Sequence, residues 1–390
     1  MRPMNTQATQ NRLSNSLIIA LFLTAILTPF IIWVLQTDIS FSEVEKRELN
    51  RFPELQKQSI PEFTHAFDAY FQDHFGLREW FINRYHREAS KRFNVSGVPD
   101  VVKGRDGWLY LSHNSMLDDL KGRLGFSDPE KKVFWNHLIT KETWLDEQNI
   151  AYIFLIAPNK QSIYPEYLPS HFRSSPKSSR LDELLSNRPV HGGASLLDVR
   201  SNLRLEKSNS RLYNKSDSHW NAQGAYLAYL ALMKRNKLLF PEIQMQEKFN
   251  FIPEWKNTPG GDLAEMIGKK DSTVEQQPVL NTTTFASTLR PIEKPLMNFF
   301  RSSQLQVYQT TKTNRSLKVL VLHDSFFGIL SPFISESYGD VLFVNRYQND
   351  ATSTFLSEKK LKELVSLLKP DLIIDELVER NLPNFIPKEM

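Results

Sequence analysis

Cysteine is absent from the 390-residue chain, which removes disulfide staples, thiolate metal sites and a cysteine nucleophile together. It leaves the compartment open. Charge of one sign is also lacking: 48 Lys and Arg against 44 Asp and Glu leave a net +4. That is too little for the concentrated basic face that nucleic-acid binding needs, so no nucleic-acid partner is expected. Missing too are a phosphate-cradling glycine loop, a dinucleotide fingerprint and a His-Glu-x-x-His pair, and the histidines form no ligand-spaced cluster. No cofactor and no metal are expected. There is no internal repeat or low-complexity tract. What is present is the material of a full core, 41% hydrophobic and 12% aromatic, over a length that suits one large domain with an appendage or two modest ones.

One apolar run stands apart. Ser16 to Leu35 carries no charge and is interrupted only by Thr24, Thr28 and Pro29. As a helix it reaches about 30 Å, the thickness of a bilayer's hydrocarbon core, and one proline is tolerated there. Arg2 and Arg12 precede it without an acidic residue, whereas Asp38, Glu43, Glu45 and Glu48 follow. Positive-inside logic puts residues 1–15 in the cytoplasm, 16–35 in the membrane and the rest outside, with the lipid bilayer as a partner. A cleaved signal peptide is the competing reading, but the run is long for an h-region and Ser40-Phe41-Ser42 is a weak cleavage site.

Residues 36–58 are polar and irregular and read as a stalk. Residues 59–100 form a helical lead-in, since Phe63, Phe67, Tyr70, Phe71 and Phe75 recur at helical spacing and Trp80, Phe81 and Tyr85 continue beyond Gly76. The plain account of these rings is packing on the main domain, preferred over a lipid- or cofactor-binding stripe. From 101 to 390, a turn at Lys103–Tyr110 feeds a short strand, and apolar strands alternate with helices. Strands are expected at Ala151–Ala157, Ser195–Val199, Lys318–Leu322, Asp340–Val344 and Leu372–Asp375, and helices at 129–147, 221–236 and 358–368. Near-continuous apolar strands between helices predict an α/β fold with a parallel sheet covered on both faces. Residues 240–317, rich in Pro, Thr, Ser and Asn, break the rhythm and read as a β- and loop-rich insertion.

Two places combine reactive side chains with favourable local geometry. In Val319–Gly328 an apolar strand ends, a polar turn follows and a helix is expected to begin, which sets Ser325 at the carboxyl edge of the sheet, where α/β proteins place ligands. Backbone N–H groups of the new helix would face the same space and could hold an oxyanion. A capping serine is the plain alternative. In Asp217-Ser218-His219-Trp220-Asn221, an extended backbone would project residues 217 and 219 to one side. Asp217 could then hold Nδ1 of His219 and leave Nε2 for a serine, the arrangement of a catalytic triad. Here the alternative is a helix cap by Asp217 or Asn221. Asp73-His74 reads as structural, and His323 as either tuning the pocket or packing at the strand end.

With these blocks in view, the chain resembles the AlgX/AlgJ family of SGNH-hydrolase-like polysaccharide O-acetyltransferases. The likeness is carried by Glu48–Pro53, Phe71–Arg78, Gly104–Tyr110, Ala157–Lys160 with Ile163–Pro165, Asp217–Trp220, Gly261–Ala264 and Asp324–Phe326. Ordinary SGNH hydrolases place the serine block first; here it comes last, in keeping with the family's circular permutation. The resemblance implies a three-layer α/β/α sandwich with Ser325 as nucleophile, His219 as base and Asp217 as its orienter. It further implies a polysaccharide acceptor and an acetyl group relayed by a multipass membrane acyltransferase of the MBOAT class. The chain is similar to the anchored members that lack a C-terminal carbohydrate-binding module. Asp324, Phe326, Trp220, Asn159, Lys160 and Arg346 are candidates for substrate or oxyanion contacts, with surface solvation an equal account of the lysine and the arginine.

The resulting expectation is an extracytoplasmic serine O-acetyltransferase on a single-pass anchor in the cytoplasmic membrane. An acetylesterase using the same triad is the nearest alternative, and a non-catalytic export scaffold is a third.

Overall fold

The computed structural model describes residues 6–35, 41–42, 47–54, 59–82, 84–85, 98, 100–112, 116–172, 178–241, 243, 254–280, 287–303, 307–311, 317–346 and 356–387. The chain forms two compact units, residues 1–97 with 265–268, and residues 98–264 with 269–390. Parts of the expected stalk (36–40, 43–46 and 55–58) lie outside the described residues.

The first unit contains α1 (Thr6–Leu35) and α2 (Ile60–His74). Asn15–Leu35 within α1 is long and apolar enough to cross a membrane. Helix α2 begins at a capping box between Ser59 and Glu62. Asp73 is buried and accepts from the backbone N (2.9 Å) and Nδ2 (2.7 Å) of Asn50, so it is structural, as is His74, whose ring stacks on Tyr70.

The second unit runs β1 (Val101–Lys103), β2 (Leu109–Leu111), α3 (Asp128–Asp146), β3 (Ala151–Ala157), α4 (Arg180–Ser186), β4 (Leu196–Asp198), α5 (Arg200–Glu206) and α6 (Ala222–Leu239). It continues with β5 (Glu254–Pro259), β6 (Val274–Val279), β7 (Thr288–Arg290), α7 (Lys294–Ser303), β8 (Val307–Thr311), β9 (Lys318–His323) and α8 (Ser331–Ser337). The last elements are β10 (Asp340–Asn345), α9 (Glu358–Leu368), β11 (Leu372–Val378) and α10 (Leu382–Phe385).

Seven strands form the central sheet in the order β4-β3-β11-β9-β10-β8-β7. The first five are parallel; β8 and β7 extend the sheet antiparallel. Because side chains alternate along a strand, Ile153, Leu155 and Ala157 of β3 join one core cluster while Tyr152, Phe154 and Ile156 join the other. Val319 and Val321 of β9 likewise oppose Leu320 and Leu322. Leu203 of α5, Ala225, Ala228 and Tyr229 of α6, and Phe333 of α8 cover the first face; Phe134 and Leu138 of α3, Leu181 of α4 and Leu361 of α9 cover the second. This is the expected α/β/α sandwich.

Two expectations need correction. The 240–317 segment is not wholly an insertion, because β7 and β8 are strands of the central sheet and α7 lies between them. Its polar composition suits an antiparallel edge, which need not be apolar on both faces. Strand β11 also runs past Asp375 to Val378, with all seven residues buried.

Candidate active site

Strand β9 delivers its last residue, His323, to the carboxyl edge of the sheet, and Asp324 turns the chain there. Asp324 is buried. Its Oδ1 accepts from the N–H of Phe326 (2.9 Å), its Oδ2 accepts from the N–H of Val378 (2.8 Å), and its own N–H donates to Oε2 of Glu376 (3.0 Å). One carboxylate thus caps the turn and ties the end of β9 to β11. Ser325 opens a short 3₁₀ turn (Ser325–Ile329) ahead of α8 and is exposed. Burial, followed by the charge of Asp324, pushes the Glu376 carboxyl well above its usual range.

The histidine arrives on irregular chain. Tyr213 and Trp220 form an isolated bridge, and Asn221 caps α6 by accepting from the N–H groups of Gln223 and Gly224. Residues 214–219 between them form irregular turns, held by side chains from elsewhere. Lys160, buried, donates from Nζ to the carbonyls of Leu109 (2.7 Å), Lys215 (2.9 Å) and Asp217 (2.7 Å). Burial drives its ammonium down to about 7, against the pull of Asp217, Asp262 and Glu275. Glu275 of β6 accepts from the N–H groups of Lys215 (2.5 Å) and Ser216 (3.0 Å) and from Ser216 Oγ (2.6 Å). Asp262 accepts from the N–H (2.7 Å) and Oγ (2.5 Å) of Ser218.

The two segments meet. His219 Nε2 lies 2.9 Å from Ser325 Oγ, and its Nδ1 lies 2.7 Å from Asp217 Oδ1. The backbone is not extended as expected: Asp217 Oδ1 also accepts from the N–H of His219 (2.9 Å), an Asx-type turn that brings ring and carboxylate together. Trp220 Nε1 donates to the carbonyl of Phe326 (2.9 Å), and the Phe326 ring lies 4.8 Å from the imidazole, centroid to centroid. The serine and histidine turns are therefore bolted to each other beside the reacting atoms.

The electrostatics suit a general base. Burial opposes charge on His219, but the hydrogen bond to Asp217 and the charges of Asp217 and Asp262 outweigh it and raise its pKa. Burial likewise opposes the Asp217 carboxylate, yet its bonds to His219 and the N–H of Asp262 hold it below the usual range. Burial and the charge of Asp217 push Asp262 up. Asp217, His219 and Asp262 offer ligand atoms within 4.8 Å of one another. At 2.7 Å, the Nδ1–Oδ1 separation is a hydrogen-bond length, and Ser218 occupies both oxygens of Asp262. Gly261 also belongs to this geometry: a Cβ there would fall on the Asp217 carboxylate.

The remaining candidates take other places. Asp324, Phe326, Trp220, Asn159, Lys160 and Arg346 are all buried, so they support the site rather than line it. The solvated-surface account of Lys160 and Arg346 falls with them: Arg346 pairs with Asp375 and donates Nε to the carbonyl of Glu376 (2.8 Å). Asn159 donates its N–H to Glu379 (2.9 Å). Of the first N–H groups of this turn, that of Phe326 goes to Asp324 Oδ1 and that of Phe327 to the Asp324 carbonyl (3.3 Å), and that of Ser325 has no partner among the described residues. His323 packs at the strand end against Phe327 and Phe343. Missed by the sequence reading were Asp262, Glu275 and Arg380. The Arg380 guanidinium lies 5.1 Å over the Phe326 ring, without an ion-pair partner among the described residues.

A family model described as SGNH hydrolase-like domain, acetyltransferase AlgX, matches residues 101–300, which include Asp217 and His219. The chain belongs to this family. Among curated relatives, the probable alginate O-acetylase AlgJ of Pseudomonas aeruginosa is 24% identical over 162 residues, covering 42% of this chain and 39% of the relative. AlgJ of Pseudomonas putida is 24% identical over 207 residues, covering 52% and 50%. The chain thus spans half or less of the curated relatives it matches. A structure of Bacillus cereus PatB1 with a sulfonyl adduct shares the fold at a TM-score of 0.51 and 16% identity, covering 74% of this chain and 97% of that one. AlgX-family membership accords with the sandwich.

Proposed function

We propose that the chain is a serine O-acetyltransferase that acetylates hydroxyls of a secreted or cell-surface polysaccharide. The carrying observation is His219, poised 2.9 Å from Ser325 Oγ and 2.7 Å from Asp217. Ser325 Oγ attacks the acetyl carbonyl as its proton passes to Nε2 of His219, and the Ser325 N–H steadies the oxyanion. The tetrahedral intermediate collapses, the leaving oxygen takes that proton, and acetyl-Ser325 remains. A sugar hydroxyl then attacks, gives its proton to Nε2, and leaves as the acetate ester while Ser325 regains its hydrogen. Asp217 keeps the imidazole oriented and favours its charged form in both steps.

AlgX-family membership and the names of the AlgJ relatives support the acetyl-transfer reading. The apolar N-terminal helix supports a single-pass anchor in the cytoplasmic membrane with the catalytic unit outside the cytoplasm. The donor reaches the site through a multipass MBOAT-class acyltransferase. The exposure of Ser325 favours a second reaction, since water can replace the sugar and make the enzyme an acetylesterase.

The test uses full-length protein in detergent with an activated acetyl ester, with and without oligosaccharides. Acetylated sugar is expected, with a loss of about 10³-fold or more in Ser325→Ala. Acetate release without sugar product would convert the reading to esterase. Full activity in Ser325→Ala would end the acyl-enzyme mechanism.

A further inference from the structure

The first unit carries aromatic side chains for which the catalytic site has no use. Phe63, Phe67 and Phe71 of α2 form a stacked ladder with centroid spacings of 6.1 and 6.5 Å. Phe52 sets its edge against Phe67 (5.9 Å) and Tyr70 (5.2 Å). The ladder is fastened to α1 at two points. Phe71 meets Trp33 edge-on at 5.3 Å, and the Gly76 backbone sits so close to the Pro29 carbonyl that a Cβ would land on it.

Those contacts fix a level. The apolar stretch of α1 ends at Leu35; at 1.5 Å per residue, Trp33 lies about 3 Å and Pro29 about 9 Å inside that end. The segment from Phe71 to Gly76 spans those levels and overlaps the depth of about 5–10 Å at which interfacial amphipathic helices lie. Just beyond it are Trp80, 58% exposed, Phe81, 49%, and Tyr85, 66%, with Trp80 and Phe81 packed edge to face at 5.1 Å. Large aromatics displayed together are costly against water. At a membrane–water boundary, by contrast, tryptophan and tyrosine are the enriched residues, each with an apolar body and a polar tip. Glu62, Asp68 and Gln72 are exposed and supply α2 with polar side chains for the water side.

We propose that the C-terminal end of α2 and the residues after it, 71–82 with 84–85, form an interfacial collar: this stretch sits in the outer headgroup–acyl boundary of the bilayer that α1 crosses, with Trp80, Phe81 and Tyr85 as its aromatic belt. The occupant of this surface is the lipid bilayer, because the collar is continuous with a helix whose own apolar face needs lipid. The proposal rests on α1 spanning the membrane and is independent of the triad.

The experiment places the full-length chain in phosphatidylethanolamine–phosphatidylglycerol vesicles whose acyl chains carry bromine at a shallow or a deep position, and reads tryptophan quenching. The chain has 7 tryptophans, so single Trp→Phe variants identify each contribution. Trp33→Phe should remove part of the quenchable emission, which reports insertion of α1. Trp80→Phe should remove a comparable further part, more with the shallow bromine than with the deep one. Loss with Trp33→Phe but none with Trp80→Phe would overturn the collar and leave the anchor standing, with the rings facing water or another protein surface. No loss with either variant would remove the spanning helix and the collar with it. Acetyl transfer measured on the same samples stays a separate readout.

Discussion

The serine and the histidine of the site are held by two kinds of structure. Ser325 stands on a turn between a parallel strand and a helix, fixed by the sheet ladder and by Asp324, which bonds to the end of β11. His219 stands on an irregular loop, fixed by side chains from three other places, Lys160 after β3, Asp262 and Glu275 on β6, and, across the site, by the carbonyl of Phe326. The first side inherits its precision from the core. The second assembles it from polar bonds, and each removal leaves a buried partner unmet. The base side is therefore the more fragile half.

Three substitutions press on that contrast. The largest effect is expected for Asp217→Asn, which keeps shape but loses the charge that favours the imidazolium; kcat should fall roughly 10⁴-fold, the scale seen when a triad acid is neutralised. The pH profile carries a sign. Because the His219 pKa is raised, the wild-type acid limb of kcat/KM should lie above the ordinary imidazole value of about 6.5, with activity lost as pH falls through it. In Asp217→Asn that limb should move down. A limb that stays in place would show that Asp217 does not govern His219.

A middle effect is expected for Lys160→Met, which deletes three bonds to carbonyls without touching the reacting atoms. Stability should drop by about 2 kcal/mol, as for buried carbonyls left without a donor, and kcat by roughly 10²-fold, as for a displacement of about 1 Å. Urea unfolding and steady-state rates measure the two. The smallest effect is expected on the serine side. Since burial already favours a neutral Glu376, Glu376→Gln keeps an oxygen for the N–H of Asp324 and should alter stability by less than about 1 kcal/mol. A rate loss in Glu376→Gln as large as that in Lys160→Met would erase the distinction between the two halves.

The same contrast explains what could be read in advance. Strand β3 was legible to the residue, and β9 and β10 nearly so, because strands buried on both faces are written as unbroken apolar runs. The meeting of Ser325, His219 and Asp217, on which the proposed triad rests, was legible because short motifs carry those residues. Strand β11 was cut short at Asp375 because two acids in sequence look like a strand's end, although both are fully buried. Asp375 is met by Arg346 and the Tyr152 hydroxyl (2.6 Å), and Glu376 by the Asp324 N–H. That truncation also hid Arg380, which stands just past the true end of β11, as Arg346 stands just past β10. Asp262 lay in the flagged Gly261–Ala264 block but with no role assigned, and the roles of Asp262 and Glu275 were out of reach for another reason. Their partners lie 44 and 59 or more residues away in sequence, and no local pattern reports such a pairing. The burial of Asn159, Lys160 and Arg346 was not legible either, because a place after a strand end says nothing about which way a side chain points.

Gly261 carries a consequence for how this chain tolerates change. It contributes no atom to the chemistry, yet the emptiness where its side chain would be is the volume that the Asp217 carboxylate fills. A random-substitution survey should therefore mark position 261 as intolerant alongside the triad, and even one added methyl group there should behave as a lesion of the acid itself. In this fold, part of the active site is written as a missing atom.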